Sequence, residues 1–268
     1  MRQYCVKAFT TDPFAGNPAG IVLLNSPLSK SKMQGIAFIN GFPETVFLLQ
    51  RPGQAQHHDI WWFTPQREVL NAGHATLAAQ FVLSKLVHPP LPAITLHWHD
   101  HGTGQAQSSR FESRRSDTLV YGCAPVLALS KRAAEMLNVS EAYEAGLDVV
   151  LVLQDEAAVR AYQPPLSLLV TLPFRGLCIT APSDTHDYCS RFFAPAYGVA
   201  EDHVTASAHC YLATYWAHRL DKSSLEAIQC STSPGTLKIG LTGQGIEIHG
   251  ACRLFSTSEI HHDPTSPD

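Results

Sequence analysis

A short pattern that occurs twice, half a chain apart, is the sequence feature that most constrains the fold. In the first copy an aromatic segment ending in Phe63-Thr64-Pro65 precedes a loop and an apolar stretch that begins at Gly73. In the second copy a segment ending in Phe193-Ala194-Pro195 precedes a longer loop and the stretch from Ala206. Such a long repeat predicts two related halves rather than a solenoid of short repeats.

Both copies place small residues at the start of an apolar helix. The first backbone N–H groups of a helix have no partner within it, and the helix dipole favours negative charge there. Gly73 and Ala206 therefore predict two anion-binding helix starts. If the halves face each other, a small anionic metabolite can be held between these starts.

Composition excludes several classes of protein. The net charge of −4 and the absence of a long basic run indicate that nucleic acid is not a partner. No apolar stretch reaches the roughly 20 residues of a membrane-spanning helix, so no membrane partner is expected. The 7 cysteines are scattered and lack metal-ligand spacing, which indicates reduced thiols in a cytoplasmic protein. A homodimer is the default oligomeric state.

Apolar periodicity predicts a mixed α+β fold with a few buried helices and many strands. Asn40-Gly41 is expected to end the first helix. The polar segment 100–118 is expected to join an N-terminal half, 1–112, to a C-terminal half, 113–260, which is followed by a disordered tail, 261–268. Helices are expected at 29–40, 73–86, 130–137 and 207–220, and strands include 4–9, 42–49, 94–98, 147–153, 166–171, 176–180, 237–241 and 246–249.

Glu44 is the first candidate for catalysis. It follows Phe42-Pro43 and precedes an apolar strand. Such surroundings disfavour the charged carboxylate, which suits a group that takes up and releases a proton. The alternative is a carboxylate that points to solvent from a strand end.

Three further residues accompany Glu44. Asp202 lies in the loop before the second helix, where an aspartate is often only a turn or capping residue. His74 and Ser207 lie in the first turns of the two helices, where the alternatives are a structural histidine and an ordinary cap. Because His74 and Ser207 occupy matching places in the repeat, we group all four residues into one candidate site.

Other arrangements are weaker candidates. The dense histidines, among them His57, His97 and His99, lack a suitably spaced acidic or cysteine partner, so no metal site is expected. Cys210 is better explained as a buried core thiol than as a nucleophile. No glycine-rich phosphate loop is present, because the glycines at 240, 243 and 245 open no helix.

Several segments resemble the phenazine-biosynthesis-like (PhzF-like) family, whose fold is of the diaminopimelate-epimerase type. They occur in family order and span most of the chain, and they are 12–19, 43–45, 62–65, 68–69, 73–78, 193–195, 201–202 and 204–209. The resemblance implies two similar domains, each a barrel-like mixed or antiparallel sheet wrapped around a central helix. It also implies cofactor-free and metal-free isomerisation in the cleft between the domains, as in a dihydro-hydroxyanthranilate isomerase.

The resemblance also implies roles for individual residues. Glu44 would move a proton between carbons of a small carboxylate-bearing metabolite, with Asp202 and His74 beside it in the cleft. The substrate would be bound at Gly73, Ala206 and Ser207.

The chain departs from the family pattern at several positions. Ala72 stands where cysteine is common, which disfavours racemisation by a pair of thiols. Ala206 replaces a glycine, and Pro43 replaces a serine. Ser233-Pro234-Gly235 stands where Arg-Gly-Gly is usual, which removes a partner for an anion. These changes keep open the alternative of a non-catalytic small-molecule-binding protein on the same fold.

Overall fold

The chain folds into two compact units, of which the computed structural model describes residues 1–87, 92–99, 105–112, 115–122, 124–243 and 245–261. Unit 1 comprises Met1–Pro13, Pro18–Thr118 and Ala251–Asp268. Unit 2 comprises Phe14–Asn17 and Leu119–Gly250. Of the expected disordered tail, residues 262–268 lie outside the described residues.

Unit 1 is built on a sheet of eight described strands. They are β1 (Arg2–Ala8), β2 (Asn17–Leu24), β3 (Glu44–Gln50), β4 (His57–Phe63), β5 (Glu68–Val69), β6 (Ala93–His99), β7 (Ala106–Glu112) and β18 (Cys252–Glu259). Its helices are α1 (Lys30–Asn40) and α2 (Gly73–Phe81), and α2 continues as a π-helical turn, Val82–Leu86.

Unit 2 is built on a sheet of ten described strands. They are β8 (Thr118–Tyr121), β9 (Ala128–Leu129), β10 (Tyr143–Ala145), β11 (Asp148–Val152), β12 (Gly176–Pro182), β13 (Tyr188–Ala194), β14 (Val199–Asp202), β15 (Ser224–Gln229), β16 (Gly235–Thr242) and β17 (Gly245–His249). Its helices are α3 (Lys131–Leu137), α4 (Glu156–Ala161), α5 (Leu166–Leu169) and α6 (Ala206–Leu220), with a short 3-10 turn at Pro195–Tyr197.

The two sheets repeat one order of strand pairing. In unit 1, β2 and β3 are parallel, β3 and β4 antiparallel, β4 and β6 parallel, and β6 and β7 antiparallel. In unit 2 the same sequence of directions runs through β11, β12, β13, β15 and β16. A short antiparallel strand is added to β4 and to β13, just before α2 and α6. The mixed α+β class and the two similar domains are therefore confirmed.

Each sheet packs on one main helix, as expected. Helix α2 contacts β1, β3 and β18, and its Ala75, Ala78 and Ala79 lie in the core of unit 1. Helix α6 contacts β15, β16 and β17 and buries Tyr211 and Trp216. Both helices are apolar on most sides, which is typical of helices surrounded by protein.

The sheets are open, so the expectation of barrel-like sheets needs correction. Among the described residues, the outer strands of the first sheet, β7 and β18, are not paired with each other. Six of the seven residues of β7 are exposed, the exception being Phe111. A polar, solvent-facing strand is a common way to end a sheet, because its side chains are well hydrated at an edge.

Several boundaries differ from the expectations. Residues 166–171 do not form a strand, since Pro164-Pro165 redirects the chain into α5 and its buried Leu169. The polar segment expected to be a junction contains β7, which pairs with β6. Strand β18 pairs with β1, although the expected boundary placed it in the C-terminal half.

Helix α1 ends as predicted, because Gly41 adopts a left-handed conformation with φ 63°. No helix among the described residues combines the length and apolar character needed to cross a membrane.

Candidate active site

Glu44 is the first residue of β3 and pairs with Ala19 of the parallel neighbour β2. Its side chain is only 16% exposed, and its Oε2 lies 3.0 Å from Nε2 of His74, which is 6% exposed. The contact is not aligned as a hydrogen bond. The carboxylate therefore does not point freely into solvent, and it lies against an imidazole that can exchange protons.

The start of α2 is held by the strand that precedes it in the repeated pattern. Trp62 of β4 donates its indole N–H to Oγ1 of Thr76 over 3.0 Å, and Thr76 Oγ1 in turn donates to the carbonyl of Ala72 over 2.9 Å. Ala72 is the N-cap residue and makes no side-chain capping hydrogen bond. The first-turn N–H groups, beginning at Gly73, are thus not satisfied by a capping side chain.

The loop before α6 is held by two buried amides in unit 2. Asn17 Nδ2 donates to Oδ1 of Asp202 over 2.8 Å and to the carbonyl of Val204 over 3.0 Å. Gln229 accepts from the N–H of Thr205 and donates to the carbonyl of Asp202, both over 2.8 Å. Thr205 Oγ1 donates to Oδ2 of Asp202 over 2.5 Å. Both carboxylate oxygens of Asp202 therefore hold the loop, which is also expected of a turn residue.

Ser207 lies in the first turn of α6 and contacts Arg175. Two guanidinium nitrogens of Arg175, Nη1 and Nη2, each donate to Oγ of Ser207 over 3.3 Å. The N-cap residue, Thr205, makes no side-chain capping hydrogen bond to the helix. The second helix start thus combines uncapped N–H groups with a cation.

The predicted substrate-binding residues differ in accessibility. Gly73 and Ser207 are half-buried, whereas Ala206 is 3% exposed. The methyl group that replaces the family glycine is therefore enclosed in unit 2. Ser233, which stands where the family has an arginine, donates its hydroxyl to the carbonyl of Gly16 over 2.7 Å.

The six predicted residues fall into two groups. Glu44, Gly73 and His74 lie in unit 1, while Asp202, Ala206 and Ser207 lie in unit 2. Sequence reasoning assigned no role to Asn17, Gln229 or Arg175. Asn17 lies within 12–19, one of the segments that resemble the family, which is a usable signal, but no sequence feature pointed to Gln229 or linked Arg175 to Ser207.

The weaker candidates were the dense histidines and Cys210. The ring nitrogens of His57 and His97 lie 2.8 Å apart, and no cluster of three or more potential metal ligands occurs within the described residues. His101 and His262, which belong to the same dense histidine segments, lie outside the described residues. Cys210 is a buried thiol that donates to the carbonyl of Ala206 over 3.7 Å.

Comparison with known proteins places this geometry in a family. The sequence profile of the "Phenazine biosynthesis-like protein" family, PhzC-PhzF, matches residues 6–254. The chain belongs to this family. The resemblance seen in the sequence is thereby confirmed.

Relatives within the phenazine-biosynthesis-like family show the class of enzyme. An uncharacterized isomerase from Pseudomonas aeruginosa is 37% identical over 264 residues, which covers 95% of this chain and 96% of that protein. A crystal structure of a PhzF-family phenazine biosynthesis protein from Enterococcus faecalis is 32% identical with a TM-score of 0.82, covering 97% of this chain and 99% of that one. The expectation of an enzyme of the isomerase class is confirmed.

A more distant structure shares only the fold. A hydroxyproline epimerase from Agrobacterium vitis with bound trans-4-hydroxy-L-proline is 10% identical with a TM-score of 0.59, and the match covers 96% of this chain and 91% of that one. The epimerase-type fold expected from the sequence is therefore confirmed.

Proposed function

We propose that this isomerase moves a proton between carbons of a small carboxylate-bearing metabolite, without a cofactor, and that Glu44 is its acid and base. The observation that carries the proposal is the 3.0 Å contact between the shielded carboxylate of Glu44 and His74 at the start of α2. A carboxylate removed from bulk water beside a proton-exchanging group suits general acid–base catalysis.

In the proposed mechanism, the ionised Glu44 takes a proton from one carbon of the substrate. The electron pair left behind shifts through the substrate, and the negative charge that develops is stabilised by the N–H groups at the start of α2. Glu44, now a carboxylic acid, returns the proton to a second carbon. The reaction redistributes one proton and one double bond, so the product is an isomer of the substrate.

Two further observations support a carboxylate as the substrate's anionic group. The start of α6 has uncapped N–H groups and the cation of Arg175 beside Ser207. The Agrobacterium epimerase, which shares the fold, was crystallised with trans-4-hydroxy-L-proline, a small carboxylate. That Asp202, Ala206 and Ser207 act on the same substrate as Glu44 remains the prediction of the sequence analysis.

The test follows deuterium from solvent into carbon positions of candidate unsaturated carboxylates, beginning with a dihydro-hydroxyanthranilate. Glu44→Gln should abolish the incorporation that the unmodified protein supports, because an amide cannot accept the proton. Glu68→Gln is a matched control, since Glu68 also begins a strand of unit 1 but pairs with Lys30 at 2.7 Å. Incorporation that survives Glu44→Gln would exclude this base, and tight binding without incorporation would favour a non-catalytic binding protein.

A cytoplasmic location and a homodimer remain predictions. The six described cysteines are all free thiols, which supports a reducing compartment. Sedimentation velocity at micromolar concentration measures the oligomeric state directly, and a single monomeric species would contradict the dimer.

A further inference from the structure

Arg175 is held in one orientation by a buried carboxylate. It lies directly before β12, and its Nε donates to Oδ1 of Asp148 over 2.7 Å while its Nη2 donates to Oδ2. Asp148 is 2% exposed and also accepts from the hydroxyl of Tyr211 over 3.1 Å. The guanidinium lies 5.3 Å from the ring centre of Phe192. A bidentate pair stacked on an aromatic ring leaves the arginine little rotational freedom.

The arginine stays charged in this position. Burial by itself lowers the pKa of Arg175, but the hydrogen bonds and negative charge of Asp148 outweigh burial and raise that pKa above its ordinary value. The side chain is 31% exposed, so part of the cation faces out of the core. A cation beside a helix start is unfavourable unless negative charge compensates it. Asp148 supplies part of that compensation on the buried side.

The contact with Ser207 constrains the serine hydroxyl. A guanidinium can only donate, so Oγ of Ser207 accepts from both Nη1 and Nη2 of Arg175. A hydroxyl has a single proton, and here that proton cannot point back at the guanidinium. Ser207 is therefore left to donate its proton to a third group.

We infer that Arg175 is a positioning residue that makes Ser207 a hydrogen-bond donor toward an acceptor oxygen of the substrate. The inference rests on the proposed function, in which Ser207 binds the substrate. The group recognised here is a carboxylate or carbonyl oxygen, because an ammonium group would meet both a donor and a cation. Ser233-Pro234-Gly235 stands where the family usually has Arg-Gly-Gly, so the chain lacks that arginine. Arg175 supplies a guanidinium near the start of α6 from another position.

A second arginine provides a matched control. Arg191 also binds a carboxylate with two nitrogens, donating to Glu201 over 2.7 and 3.2 Å, and lies 4.8 Å from the ring centre of Phe193. Its Nη1 donates to carbonyl groups near the end of α4, among them that of Tyr162 over 2.9 Å. Arg191→Lys therefore also removes, in unit 2, a guanidinium that binds a carboxylate with two nitrogens and lies over an aromatic ring. It leaves the contacts of Ser207 unchanged.

The experiment titrates acetate into the full-length protein and follows the amide ¹H–¹⁵N shifts of residues 206–208. Ser207→Ala should weaken acetate binding about tenfold, which corresponds to the loss of one good hydrogen bond. Arg175→Lys should weaken it by a similar factor, because a lysine that pairs with Asp148 cannot also hold Ser207. The double variant should bind no more weakly than Ser207→Ala alone, and Arg191→Lys should bind as the unmodified protein does.

The inference would be overturned if Arg175→Lys bound acetate as tightly as the unmodified protein. It would also be overturned if the losses in affinity of Arg175→Lys and Ser207→Ala were fully additive in the double variant. The absence of any acetate-dependent shift at these amides would overturn it as well. If Arg175→Lys fails to fold, Arg175→Gln combined with Asp148→Asn removes both charges and tests the same contact. Failure of the proposed function would appear separately, as deuterium incorporation that is insensitive to Glu44→Gln.

Discussion

His74 Nε2 and Glu44 Oε2 lie 3.0 Å apart, which joins the first turn of α2 to the first residue of β3. The two residues are distant in the sequence, and the sheet of unit 1 brings them together. If this contact orients the carboxylate, removing the imidazole should slow proton transfer without removing the base.

The first prediction follows from that contact. His74→Phe should reduce deuterium incorporation by about 10²-fold, the lower end of what one positioned acid–base group contributes. His74→Gln, whose side-chain amide can still lie against the carboxylate, should recover part of the rate. Rates would be compared under single-turnover conditions, and a His74→Phe rate within twofold of the unmodified enzyme would show that the contact is only structural.

The second prediction separates two roles for Asp202. Asp202→Ala removes the acceptors for Asn17 and Thr205 and should lower the free energy of unfolding by about 2–4 kcal/mol, because buried donors lose their partners. Asp202→Asn keeps one oxygen for Asn17 and places an amide against the Thr205 hydroxyl, so it should fold normally and retain incorporation within about tenfold. Urea denaturation and the exchange assay measure the two effects. A folded but inactive Asp202→Asn would instead support the catalytic role expected from the sequence.

The third prediction concerns close packing next to Arg175. A Cβ on Gly176 would lie 2.5 Å from Cζ of Phe192 and 2.8 Å from the carbonyl oxygen of Phe193. Gly176→Ala should therefore lower the free energy of unfolding by about 1–3 kcal/mol, the usual effect of overpacking.

Gly240→Ala is the control for that substitution. Gly240 is also a strand residue of unit 2, but a Cβ there meets no atom within 4 Å. The free energy of unfolding of Gly240→Ala should differ from that of the unmodified protein by less than about 0.5 kcal/mol. Equal losses for the two variants, measured in urea, would contradict the packing argument.

The fourth prediction is a dependence of stability on pH. Burial lowers the pKa of His209 from 6.5 to about 4, and burial likewise lowers the pKa of His58 to about 4. Between pH 6.5 and 4 the unfolded chain takes up protons that the folded protein does not. The free energy of unfolding should therefore fall as the pH decreases through this window, by at most about 1.4 kcal/mol per pH unit for each histidine.

Urea denaturation at pH 4.5, 5.5 and 6.5 would measure the slope of the free energy of unfolding against pH for the unmodified protein and for His209→Gln. The variant should lose the part of the slope that His209 contributes. His218, which is exposed on the same helix, provides the control, and His218→Gln should leave the slope unchanged. A slope that does not respond to His209→Gln would mean that the buried imidazole is not the group that titrates.

Local sequence patterns were sufficient for the elements that depend on near neighbours. The small residues at Gly73 and Ala206 begin helices, Gly41 ends one, and the duplicated Phe-x-Pro pattern marks the equivalent strands of two similar units. The residues of the candidate site were found in the same way, since Glu44, His74, Asp202 and Ser207 stand at strand and helix ends. These features follow from backbone conformation and apolar periodicity, which are properties of short segments.

The tertiary structure decided which of these residues have partners, and through which atoms. Arg175 meets Ser207, and Gln229 meets Thr205, across separations of 32 and 24 residues. The open edge of the first sheet and the pairing of β18 with β1 likewise depend on which strands find each other. Long-range hydrogen bonds are set by the packing of whole elements, and no short segment records that packing. The sequence alone therefore determined the candidate residues and the class of enzyme, and only the fold determined how their side chains are held.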